Sequence, residues 1–361
     1  MPYEGPHWKE NWGQTRSHFL AWWQRDGLVL TIGGLPPLDA PRANARPPRD
    51  PRSAYERHTD PAWFAQNQRA SLGRCPYPAD NLPIAHLDYG CVQLAACLGS
   101  EPRFADDTVW YEDAISDPDA CSPLKLTGTE TWWQRYRAIR LEVLCISEGD
   151  YLVGAPAIAS NLDVLAELRG TQNMLYDLND RPGWVRDRLS EVNEAFFVAY
   201  DDCYQQIRLP DGSSAYTYFH LWGPGKTSQV QCDFSAMISP AMFREFVIPP
   251  LRQQCAWLDH SLFHLDGPHC IGHLDHLLAV EELDAVQWTP GAGQPGAGDP
   301  TWYGLYARVL KAGKSVQILG ADTEQARRIL DTFGTRGVFL SVDVNTESEA
   351  EAMIALVESL R

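Results

Sequence analysis

His264 and Asp266 lie two residues apart in SLFHLDGPHCIGHLDHLL, at the end of a short apolar run. In an extended strand, residues two apart point the same way, so the imidazole and the carboxylate face one region. Such a pair could ligate a divalent ion, since imidazole nitrogen and carboxylate oxygen both bind zinc. It could instead work as a hydrogen-bonded acid–base pair. A purely architectural reading stands beside these: a satisfied core histidine, then an aspartate capping the turn at Gly267-Pro268. His269, His273 and His276 follow at helical spacing and share one face. They lack the glutamate of an H-E-x-x-H site, so solvated or dipole-capping roles are expected of them.

Other apolar runs also end in polar or aromatic residues: His220 and Trp222, Asp233, Gln287 and Trp288, Ser341 and Asp343. With His264 and Asp266, Asp233 is the third candidate catalytic group. His220, Trp222, Gln287, Trp288 and Ser341 are candidate substrate-binding residues. Only a fold that gathers strand ends at one mouth would bring them together. Cys232 is a neighbouring thiol candidate, against the reading of a small core residue. Gly291, Gly293 and Gly296 in GAGQPG match a dinucleotide-binding spacing. Pro295 intrudes there, and the next helix starts only near Asp299-Pro300, so a flexible mouth loop, or amides offered to an anion, is expected. No G-x-S-x-G elbow and no P-loop is present.

The elements that must position these residues are legible as apolar runs. Residues 1–27 read as a helical extension. LVLTIGG at 28–34 reads as a buried strand. Residues 36–52 are rich in proline and arginine and read as a disordered insertion or a lid. From 150 to 361 the order is clearest, with strands at 152–158, 216–222, 229–234, 261–265, 285–289, 315–320 and 337–344 separated by helical stretches. Pro249-Pro250 is expected to interrupt or end the helix that opens at Ser239-Pro240. The last four strands are apolar runs rather than alternating ones, as in a parallel sheet buried on both faces. Eight strands predict a single α/β domain over 1–361, a (β/α)8 TIM barrel; a doubly wound open sheet is the alternative.

Lys and Arg total 30 against 47 Asp and Glu, a net charge of −17. That balance disfavours nucleic acid and an anionic membrane surface as partners. No run is long and apolar enough to span a membrane, and the first residues have no signal-peptide pattern, so a cytoplasmic location is expected. The nine cysteines form no C-x-x-C pair and are expected reduced and mostly buried. Thirteen tryptophans predict either a generous core or an aromatic-lined pocket.

The order SPAMFREFVIPPL, SLFHLDGPHCIGHLDHLL, AVQWTPGAG, GKSVQILGA and GVFLSVDVNTESEAEAMIALVESL resembles the uroporphyrinogen decarboxylase superfamily. That superfamily includes the methylcobalamin:coenzyme M methyltransferases and related corrinoid methyltransferases. The resemblance covers residues 150–361 and rests most on the S-P-x-x-F-x-E-F-x-x-P helix and the H-x-D-G strand end. It implies a TIM-like barrel. It also implies zinc or another divalent metal held by His264, with Asp266 where the methyltransferases carry a first cysteine and Ser341 near their second. The decarboxylases' arginine-rich loop is absent from LVLTIGGLPP. The expected function is therefore metal-assisted, corrinoid-linked methyl transfer to a small molecule, with a corrinoid, a corrinoid protein and a second copy of the chain (a homodimer) as cofactor and partners. Decarboxylation of a carboxylated tetrapyrrole or other ring, and non-catalytic corrinoid or tetrapyrrole binding, are the alternatives.

Overall fold

The computed structural model describes residues 3–42, 45–87, 89–90 and 92–361. Six strands form one parallel sheet: β1 (Leu28–Gly33), β8 (Thr227–Gln231), β9 (His260–Asp266), β10 (Ala285–Thr289), β11 (Ser315–Ala321) and β12 (Val338–Asp343). Their order is β1-β12-β11-β10-β9-β8, so the first strand pairs with the last and the others follow consecutively. No reversal of order occurs, unlike a doubly wound sheet. Helices Tyr303–Lys311, Thr323–Phe333 and Glu347–Leu360 follow β10, β11 and β12, as parallel crossovers require.

Shorter strands lie outside this sheet. β2 (Ile84–Ala85) pairs in parallel with β5 (Leu152–Val153), and Ala155 bridges to Tyr216. β3 (Pro102–Phe104) and β4 (Val109–Tyr111) form one antiparallel hairpin; β6 (Ser214–Tyr216) and β7 (Leu221–Gly223) form another. Side chains and turns substitute for ladders where these pieces meet the sheet. Leu30 N–H donates to Asp80 Oδ2 at 2.9 Å, and Ile32 N–H to Asn81 Oδ1 at 2.8 Å. The Asn81 amide returns a bond to the Ile32 carbonyl, so an edge that would otherwise be open is satisfied. The Ala79 carbonyl beside this turn accepts from Lys9, Asn11 and Thr15, tying it to the N-terminal segment.

Several strand expectations are corrected: of 152–158 only Leu152–Val153 is strand, and the strand expected at 229–234 ends at Gln231, before the Asp233–Met237 turn. Residues 216–222 are not one strand: the chain turns through Tyr218–His220 between β6 and β7. Ile84–Ala85, too short to register as an apolar run, is a strand instead. The Pro249-Pro250 expectation also changes. Helical structure runs from Pro240 through a π-helical stretch, Phe243–Val247, into Ile248–Trp257. The two prolines fall in the first turn of that last segment, where a missing N–H costs least.

The N-terminal extension is the helix Trp12–Trp23. It covers the N-terminal ends of the strands: the Trp22 carbonyl accepts from Ser315 Oγ, and Trp23 stacks on His260 with centroids 4.7 Å apart. The C-terminal strand ends are left for a site. In the 36–52 segment, Leu38 and Arg42 N–H donate to the Arg74 and Gly73 carbonyls. The Arg42 guanidinium lies over Trp8 and Tyr77. Residues 43 and 44 of that segment lie outside the described residues, as does Cys91. The other eight cysteines are free thiols, five of them buried. No helix among the described residues is long and apolar enough to cross a membrane.

Candidate active site

The pairing register aligns Gln231 of β8, His264 of β9, Gln287 of β10 and Gln317 of β11 in one row across the sheet. Adjacent residues in register share a face, so these four polar side chains form a floor near the strand ends. The three glutamines are buried and His264 is half-buried.

His264 Nδ1 lies 2.5 Å from Gln287 Oε1. The amide orientation is fixed by its other end: Gln287 Nε2 donates to the Trp288 carbonyl at 2.8 Å, which can only accept. His264 must therefore donate from Nδ1, leaving the Nε2 lone pair as the ring's ligating or basic position. Burial lowers the His264 pKa, against the Gln287 bond and the Asp266 and Asp163 carboxylates. The neutral ring is the form a metal ligand or general base needs.

Asp233 follows β8 and opens a 3-10 turn, Asp233–Met237. Asp163, in helix Asn161–Arg169, pins that turn: its carboxylate accepts from Asp233 N–H at 3.0 Å and Phe234 N–H at 2.8 Å. Gln231 Nε2 donates to Asp233 Oδ2 at 2.9 Å and to Asp163 at 3.3 Å. One ligand atom each from Asp233, His264 and Asp266 lies within 4.8 Å of the others. Asp233 is open to solvent from the mouth, yet the protein around it and the Asp163 and Asp266 carboxylates hold its carboxyl up at about 8. Burial likewise raises Asp163, outweighing the hydrogen bonds it accepts.

The Tyr218–His220 turn crosses this region. Phe219 (φ 59°, ψ 9°) and His220 (φ 49°) are both left-handed, costing about 1–3 kcal/mol each for non-glycine residues. The surroundings hold them: Gln317 Nε2 donates to the Phe219 carbonyl at 2.9 Å, and the Phe219 ring packs 5.1 Å from that of His264. Tyr218 meets His86 edge-on at 4.6 Å. Two cavities flank the turn. One, of about 470 Å³, is lined by Asp107, Asp163, Glu167, Tyr218, Gln231 and Asp233 among others. The other, of about 390 Å³, is lined by Thr31, Phe219, His220, Phe339 and Ser341 among others.

The structure thus gathers Asp233, His264, Asp266 and Gln287, and puts His220 and Ser341 together in the second cavity. It does not bring Trp222 or Trp288 to a ligand. Both are fully buried, with no surface for a ligand to touch. Trp222 packs on Trp12 and Phe19, and Trp288 on Trp302, so much of the tryptophan content is core. Gln287 also has no exposed surface to offer and serves His264 instead. Cys232 is buried and its thiol is held well above its ordinary pKa by burial and by Asp163 and Asp233, which suits a core residue. His273 is buried, stacked on Phe243 and bonded to the Ser235 carbonyl, while His269 is exposed; that trio forms no metal group among the described residues. The Gly291–Gly296 loop is exposed and leads into no immediate helix.

Asp163, Gln231, Gln317 and Phe219 are site residues not legible beforehand. Asp163 reads as an ordinary acidic first-turn residue. The glutamines had a signal, a glutamine after valine in SQVQ, AVQW and SVQI, each inside an apolar strand.

No family model and no curated protein matches this chain. Among solved structures it is similar to a methyltransferase from Methanosarcina mazei, with a TM-score of 0.61 and 12% identity over 96% of this chain and 98% of that chain. At that identity the likeness establishes a shared α/β fold.

Proposed function

We propose that this chain is a divergent methyltransferase of the uroporphyrinogen decarboxylase-like type. Its working centre is the Asp233–His264–Asp266 cluster, with a divalent metal as cofactor. The observation that carries this reading is the convergence of the three ligand atoms within 4.8 Å, His264 and Asp266 from the end of β9 and Asp233 from just beyond β8. A (β/α)8-type barrel belongs to the proposal. It is supported by the seam between first and last strand, and by the side-chain bonds of Asp80 and Asn81 that continue the wall toward β2. That the similar Methanosarcina mazei structure is a methyltransferase supports the methyl-transfer reading.

The donor set fits such an ion. His264 offers a lone pair with its tautomer fixed by Gln287, the arrangement typical of metal-binding histidines. The two carboxylates are harder donors than thiolates and suit a harder ion than a cysteine-rich site would. When bound, the metal would act as a Lewis acid on a substrate heteroatom. Asp163 and Gln231 would orient Asp233, and the acid-lined cavity would receive the substrate. A corrinoid protein is the proposed methyl donor, and the chain is proposed to work as a homodimer.

The test is elemental analysis of the purified chain beside His264→Ala and Asp266→Ala. About one divalent ion per chain, lost in both variants, is the expected result. Methyl donors, corrinoid proteins among them, are then screened for turnover that both variants lose. Absence of metal, or unchanged turnover in His264→Ala, would overturn the reading. A metal-free protein would favour decarboxylation, because the Asp233 carboxyl, held up at about 8, is a proton donor near neutral pH.

A further inference from the structure

We propose that the cavity between the ends of β1 and β12 and the Phe219–His220 turn binds an uncharged, largely apolar small molecule. Its volume of about 390 Å³ lies within the range of small-molecule pockets, roughly 300–1,000 Å³. No Asp, Glu, Lys or Arg lines it among the described residues. An ion entering it would lose water and gain no counter-charge, which is costly.

The polar groups at its wall are few and specific. Tyr77 and Asn81 spend theirs within the protein, on the Leu72 carbonyl and on the Ile32 backbone. Thr31, Ser341 and His220 have side chains with no hydrogen bond to another described residue. Thr31 and Ser341 are register partners on β1 and β12, so their hydroxyls share a face. His220 lines the same space from across the turn. Its ring is accessible there, yet the protein around it, and then His86, disfavour its charged form. Two hydroxyls and a neutral imidazole can hydrogen-bond a hydroxyl, carbonyl or amide without demanding charge.

The backbone is an independent indication. Phe219 and His220 are consecutive left-handed residues, neither of them glycine, in a turn with no local reason for that conformation. Strain of this kind persists where the surroundings over-determine it, and it clusters at ligand-binding sites. Here it holds the imidazole at the cavity wall. The inference concerns binding alone and holds whether or not the Asp233–His264–Asp266 cluster takes a metal.

The test uses the full chain and three probes sharing one ring system: 1-naphthol, 1-naphthoate and 1-naphthylmethylammonium, titrated by calorimetry at neutral pH. 1-Naphthol is expected to bind with a Kd at least about tenfold below that of either ion. Ser341→Phe fills the cavity and should abolish 1-naphthol binding. Met237→Ala, at the wall of the other cavity, should leave it unchanged. Circular dichroism verifies that each variant folds, and Leu35→Trp at the half-buried rim supplies the same test should Ser341→Phe not fold. Absence of 1-naphthol binding, equal binding of an ion that Ser341→Phe also abolishes, or 1-naphthol binding that survives occlusion of the cavity would overturn the proposal.

Discussion

The two cavities beside the Tyr218–His220 turn are close in size and opposite in character. The larger carries Asp107, Asp163, Glu167 and Asp233; the smaller carries no charged side chain among the described residues. Tyr218 faces the first, and Phe219 and His220 the second. A single strained turn thus separates a region suited to cations from one suited to neutral ligands. In the acid-lined cavity the carboxylates work against one another. Burial raises Asp163, Glu167 and Asp233, neighbouring carboxylates add to the rise at Glu167 and Asp233, and a bound cation would relieve both effects. In the uncharged cavity the same burial keeps an imidazole neutral. One physical effect, loss of solvation, therefore favours a cation on one side and a neutral ligand on the other.

Four measurements would break or sharpen this contrast. The largest effect is expected for Asp163→Ala. It leaves the Asp233 and Phe234 N–H groups without their acceptor, at a cost of about 2–4 kcal/mol in denaturant unfolding. It should also abolish metal retention, with no loss of 1-naphthol binding at temperatures where it stays folded. A variant as stable as the parent would show that the turn does not depend on this carboxylate.

Next comes Gln287→Leu, which removes the acceptor that fixes the His264 tautomer. Affinity for Mn²⁺, titrated by electron paramagnetic resonance, should fall about 10–100-fold, beside a stability loss of about 1–3 kcal/mol from the partners left unsatisfied. Unchanged affinity would remove Gln287 from the site.

The third measurement is pH. The His220 pKa is lowered from its usual 6.5, so the folded protein binds this proton less readily than the unfolded chain. The neutral ring's contribution is whole above pH 6.5, and stability falls as pH drops below that value. Other buried histidines contribute in the same direction, so the comparison is made against His220→Asn, which tolerates the left-handed conformation. 1-Naphthol binding should be flat from pH 6.5 to about pH 8, below the range where a phenolic hydroxyl ionises, and weaken in acid, and the acid-limb loss of stability should be shallower in the variant. His86, Tyr77 and Cys75 are the other titratable groups beside His220; a curve unchanged in His220→Asn would assign the effect to them.

The smallest effect is expected for Glu167→Gln. Removing a carboxylate that lines the acidic cavity should weaken Mn²⁺ binding by about two- to fivefold at low salt and less at high salt. It should leave 1-naphthol untouched. An equal effect on both ligands would mean that the two cavities are not electrostatically separate.

The residues of the sheet were largely legible because burial on both faces demands unbroken apolar runs, and those survive in any context. β1, β9, β10, β11 and β12 lie where such runs predict them. The pairing of His264 with Asp266 was legible for the same reason, since strand alternation is a local rule. What lay between was not. Ile84–Ala85 is too short for any pattern. Tyr218-Phe219-His220 reads as strand because aromatic residues favour strands, yet it turns through two left-handed residues with no glycine or asparagine to announce it. Gln317 and the packing around His264 and His86 determine that turn, and all three lie far away along the chain.

From the sequence alone came the acidic balance, the parallel α/β architecture and one His–Asp strand end, because charge, apolar runs and alternation are properties of neighbours in the chain. The tertiary structure alone decided that Asp233 joins that pair, that Asp163 and Gln231 hold Asp233, and that Trp222 and Trp288 belong to the core. It also decided that a strained turn divides two unlike cavities. Each of those outcomes depends on which strand ends meet and which side chains lose water there, and no local pattern records that.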